Sequence, residues 1–92
     1  MEEIKRLYAG SLAITEKTLY NNANGAIVKT IALNNTNLSD TEVTLSIDGV
    51  TFLIPLEAKE TKILSSVMVV NDLKASGDGV NIHVSGIQLG GA

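Results

Sequence analysis

The chain has 92 residues, 45% of them hydrophobic and only 18% charged, with a formal net charge of −3 and neither cysteine nor tryptophan. Such a length makes one domain, and the composition excludes a disordered chain, a disulfide-stapled one and a phosphate-binding surface of clustered Lys and Arg. With Tyr8, Tyr20 and Phe52 as the whole aromatic set, the core has to be aliphatic, and its Val and Ile favour strands.

Ile4–Leu12 reads as a first strand. A short helix is the alternative, supported by Glu2 and Arg6 four apart but lacking an N-cap residue. Lys17–Tyr20 is a brief strand, and Asn21–Gly25, rich in residues that tolerate positive φ, reads as a turn. Ala26–Leu33 is the next strand, ending at the polar cluster Asn34–Asn37.

Glu42–Ile47 alternates, with Val43, Leu45 and Ile47 on one face. Asp48-Gly49 supplies the positive-φ pair of a two-residue hairpin, and the chain returns as Val50–Leu56 with Val50, Phe52, Ile54 and Leu56 together. Pro55 has no N–H to give a ladder, which places this strand at an edge or near its end. Glu60–Ser65 and Val67–Val70 form one strand or a pair, and Asn71–Gly79 reads as a loop. The last strand, Val80–Leu89, turns Val80, Ile82 and Val84 inward and Asn81, His83 and Ser85 outward, with Gly86 marking a bulge. Residues 90–92 read as a loose tail.

The sum is an all-β fold over residues 1–89: a single antiparallel β-sandwich of seven to eight strands, jelly-roll or immunoglobulin-like. The opening MEEIKRLY has two acids and no apolar stretch, so no secretory signal is expected. The longest apolar runs, Phe52–Leu56 and Val67–Val70, fall short of the ~20 residues that span a bilayer. A soluble chain made in the cytoplasm is expected, with neither membrane nor nucleic acid as partner.

No residue pattern assembles a catalytic, cofactor or metal site. His83 alternates with Asn81 and Ser85 on the polar face and reads as a solvent-facing strand residue. Asp72 and Asp78 lie six apart, without the ligand ladder of a calcium loop. Glu57 and Glu60 are interleaved with Lys59 and Lys62, as in a solvated loop. Ser11, Ser65, Ser66 and Ser85 lack a nucleophile-elbow context, and Gly77-Asp78-Gly79 lacks the length and lysine of a phosphate loop.

The chain does carry more aliphatic residues than one face of each strand accommodates. Val28 is out of phase with Ile27, Ile31 and Leu33; Leu53 opposes Phe52 and Ile54; Leu64, Met68 and Val70 oppose Ile63, Val67 and Val69. Either bulges rephase these strands, or these are the scattered exposed aliphatics that any surface carries, or one outer face packs against another protein, with Val28, Leu53, Leu64, Met68 and Val70 as the candidate interface.

The order of segments resembles a group of small β-sandwich structural proteins of tailed-bacteriophage virions. KRLYAGSL, TLYNNANGA, KTIALNNTN, VTLSIDGVTF and the ending ETKILSSVMVVNDLKASGDGVNIHVSGIQL carry the likeness, which spans roughly Lys5 to Leu89. The chain departs from the group at Leu73–Gly79, where the last loop is shortened or shifted. The resemblance implies a virion location and a non-enzymatic role with no cofactor: capsid decoration, or a tail or neck component. Its partners would be the major capsid or tail protein and further copies of itself. A carbohydrate- or cell-surface-binding module is a rival reading, with only Tyr8 and Tyr20 as stacking platforms.

Overall fold

The computed structural model describes residues 4–65 and 67–89, and every regular element among them is an antiparallel β-strand. They are β1 (Lys5–Ser11), β2 (Lys17–Asn35), β3 (Thr41–Ile47), β4 (Val50–Leu56), β5 (Thr61–Leu64), β6 (Met68–Ser76) and β7 (Val80–Gln88). The tail at residues 90–92, Glu2 and Ser66 fall outside the described residues. The strand reading of Ile4–Leu12 holds over Lys5–Ser11, which settles it against a helix.

Hydrogen bonding orders the strands β1-β7-β2-β6-β3-β4, with β5 also on β2. All seven belong to one continuous sheet rather than two separate ones. The long β2 makes this possible. Its first part pairs β6 from Lys17 to Val28; its last part pairs β5 on the same side, and β7 on the other from Ala26 to Asn35. A straight strand of that length would measure about 60 Å, yet the longest dimension of the molecule is 42 Å, so β2 bends. Doubling over then lays β1, β7, the end of β2 and β5 against the start of β2, β6, β3 and β4, a sandwich-like arrangement. The core lies between them: Ile31, Leu33, Val43, Leu45, Leu56, Val70, Leu73, Val80, Ile82 and Val84 form one buried cluster. In the absence of any helix among the described residues, only a second layer of strands can cover it.

Three register shifts lie within β2, at Leu19, at Asn22–Gly25 and at Lys29, and they revise several sequence expectations. Asn21–Gly25 is not a reversal of the chain. It is a wide bulge within β2, where the register jumps from Asn21↔Asp72 to Ala26↔Val70. Gly25 takes φ 79°, Asn71 Nδ2 donates to the carbonyls of Asn22 and Ala23 at 3.1 Å each, and so the two expected strands become one. Another bulge, at Lys29, lies between Val28↔Gly86 and Thr30↔Ser85. The Asn21–Gly25 slip also shifts the phase of β6, between Asp72 and Val70. Asn71–Ser76 is strand, not loop, because the Asp48 carboxylate accepts the N–H groups of both Asn71 and Asp72 at 2.8 Å, which satisfies the backbone where the ladder slips.

Gly86 carries no bulge of its own. It continues the inward phase of Val80, Ile82 and Val84, and a Cβ there would collide with the Ile27 carbonyl oxygen. Its bareness lets β2 pass close by at the Lys29 bulge. At the far end of β2, the fully buried Asn35 closes the fold. Its Nδ2 donates to the carbonyls of Ser39 and Glu57, each at 3.0 Å, and its Oδ1 accepts from Asn37 N–H at 3.0 Å.

Candidate functional site

The β3–β4 hairpin is built as its sequence requires. Asp48 and Gly49 adopt φ 51° and 84°, the paired positive values of a two-residue turn, and the register runs unbroken from Ile47↔Val50 to Thr41↔Leu56. Val43 and Leu45 on β3 are buried. Across from them, β4 is the end strand of the sheet; its Leu56 is buried in the core, but toward the turn the opposing layer does not reach over it. Phe52 therefore stays 49% exposed and Val50 55% exposed, although both point to the inner side. Leu53, on the outer side, is 60% exposed.

The uncovered seam is an apolar groove of about 550 Å³. Leu45, Ile47, Val50, Phe52 and Ile54 form one wall, Leu64 and Met68 the other, and Asp48 stands at one end as the charged group in the lining. Ile63, Val67 and Val69 are exposed as well.

Two of the five expected interface residues do not belong there. Val28 is 1% exposed and Val70 0%; both lie in the core of a single subunit. The extra residue at Lys29 sets Val28 in phase with Ile31, three positions on, and the slip at Asn71–Asp72 does the same for Val70 and Leu73. Leu64 and Met68 are half-buried at the rim of the groove, and Leu53 is at the surface. Sequence reasoning missed Val50 and Phe52, whose alternation marks them as inward. It also chose the wrong parity for Val67 and Val69, which face solvent while Met68 and Val70 turn in.

The ionisable residues serve the backbone. Glu60 Oε1 accepts Glu57 N–H at 2.8 Å, Glu60 N–H donates to the Glu57 carbonyl at 3.0 Å, and Asp40 Oδ1 accepts Ala58 N–H at 3.1 Å. Lys59 and Lys62 donate to the carbonyls of Thr36 and Pro55 at 2.9 and 3.1 Å. Asp40, Glu57, Glu60 and Lys62 border a hollow of about 430 Å³ that also includes Thr41, Glu42, Pro55 and Leu56. Asp72 accepts from Asn21 Nδ2 at 3.1 Å and lies 3.7 Å from Lys74, whereas Asp78 is in the β6–β7 turn. The stretch of β6 from Asp72 to Ser76 sets about 13 Å of extended chain between Asp72 and that turn. His83 is exposed between Ala9 of β1 and Ala32 of β2, and Ser11 donates to Asn81 at 2.7 Å. Among the described residues, no three His, Cys, Asp or Glu side chains gather as a metal site.

Comparison with protein-family models, with curated proteins and with solved structures finds no match to this chain.

Proposed function

We propose that this chain is a non-enzymatic structural protein of a tailed-phage virion, decorating the capsid shell through contacts with the major capsid protein and with its own copies. One observation carries the reading: an apolar groove and an apolar end strand are left uncovered together, on a domain whose core is otherwise closed. Water around that band is unfavourable by ~25 cal/mol per Å², and a protein neighbour that covers it recovers this free energy. Permanent assemblies use such surfaces, which resemble a core cut in half.

The likeness of the segment order to virion sandwich proteins supports the setting. The net charge of −3 supports an exterior position, because an acidic module repels packaged nucleic acid. A tail or neck role shares every one of these features and differs in stoichiometry.

Quantitative mass spectrometry of purified particles from the source that carries the gene tests the proposal. Shell decoration requires hundreds of copies per particle; about a dozen would place the chain in a neck ring or tail. Absence from particles overturns the virion reading altogether.

A further inference from the structure

We propose that β4 is where two copies of this chain meet, pairing antiparallel about a two-fold axis through Phe52 and so joining their sheets. The pairing rests on the protein–protein reading above for its biological setting; its register follows from the hairpin itself.

In an antiparallel hairpin, successive pairs alternate between bonded and unbonded. The pair flanking a two-residue turn is bonded, so Val50, Phe52, Ile54 and Leu56 spend their N–H and C=O groups on β3. Thr51, Leu53 and Pro55 turn theirs away from the sheet. Pro55 has no N–H, and its carbonyl already accepts Lys62 Nζ at 3.1 Å, as that outward direction requires. Thr51 and Leu53 remain, each with a donor and an acceptor that no described residue engages.

Two residues spaced two apart are what a symmetric pair needs. With Phe52 opposite the second copy's Phe52, Thr51 faces the second copy's Leu53 and exchanges both bonds, and the reciprocal pair does the same. All four free groups of each copy are then used. Pro55 falls opposite the second copy's Gly49, where its missing donor costs nothing in that register. Lys62, anchored on the Pro55 carbonyl, comes beside the second copy's Asp48, and the symmetry repeats this opposite-charge contact at the other end.

The side chains agree with the backbone. Opposed residues share a face, so the inner strip of Val50, Phe52 and Ile54 doubles, continuing the groove wall from one copy into the next. Exposed edges are ordinarily blunted by charge. β1 has Lys5 and Arg6 and β5 has Lys62, while β4, VTFLIPL, has no charged residue. The exposed parts of Val50, Phe52, Leu53 and Ile54 amount to roughly 350 Å² per copy, against about 800 Å² per partner in a standard interface. An area below half the standard size fits a weak, reversible dimer, which high local concentration on a shell would populate.

Sedimentation equilibrium from about 10 µM to about 1 mM, with amide exchange read by NMR over the same range, tests this. The mass should rise toward twice that of the chain. The Thr51 and Leu53 amides should slow by about tenfold or more with concentration, while that of Phe52, already bonded to β3, changes far less. Leu53→Pro deletes an outward donor without touching β3 and should weaken the dimer by about tenfold or more; should it fail to fold, exchange in the unaltered chain decides. A monomer at every concentration, a dimer indifferent to a folded Leu53→Pro, or protection arising at β1 instead would each overturn the pairing. A chain present on virions yet monomeric sinks the pairing alone; a dimer absent from virions sinks only the virion reading.

Discussion

β7 and β4 are written in the same pattern and meet opposite fates. Each alternates aliphatic and non-aliphatic or outward residues, and each offers three inward side chains in succession: Val80, Ile82 and Val84 in β7, Val50, Phe52 and Ile54 in β4. The first three are buried and the second three are not fully covered. β7 sits between β1 and β2, under the layer that holds Val43, Leu45 and Leu73; β4 ends the sheet with no further strand paired beyond it among the described residues. Alternation chooses a face, whereas neighbours decide whether that face is dry.

The sharpest attack on this contrast is Gly86→Ala in β7. The new Cβ would meet the Ile27 carbonyl oxygen and the Val28 Cα, both backbone, so β2 has to move. A loss of more than about 3 kcal/mol is expected, read by urea denaturation at low protein concentration. Ile82→Ala should cost about 3 kcal/mol by leaving a cavity in the closed part of the core. Phe52→Ala, a larger truncation, should cost only about 1 kcal/mol in the dilute chain because half of the ring is already wet. Equal losses for Ile82→Ala and Phe52→Ala would break the comparison outright. Leu53→Lys should change stability by less than about 0.5 kcal/mol, and a larger loss would mean that the outer side of β4 is packed within one subunit.

Much of the strand pattern was legible because it rests on local chemistry. Asp48-Gly49 announced its turn through its need for positive φ, and Pro55 announced an edge through its missing donor. The inward set of β7 followed from period two. What escaped was non-local. Lys29 looks like any polar strand residue, yet as a bulge it transfers Val28 from the expected surface to the core. Asn71 and Asp72 look like a loop until the carboxylate of Asp48, more than twenty positions earlier, takes up their N–H groups and lets β6 continue. Exposure of Val50 and Phe52 depends on strand order, which no property of those residues encodes. The exposed apolar surface was therefore half readable: the excess of aliphatics was visible, and its location was not.

The run Ala26–Val28 is flanked on both sides, by Val70, Val69 and Met68 of β6 and by Gln88, Ile87 and Gly86 of β7. It is the hinge pin of the molecule, since a single stretch of backbone is stitched into both leaves. Neither leaf can swing open or peel off while the other persists, so melting should be one cooperative event, with these amides among the last to exchange. Were the proposed pairing to hold the molecule at its free border, such a spine would transmit a pull on one leaf directly into the other.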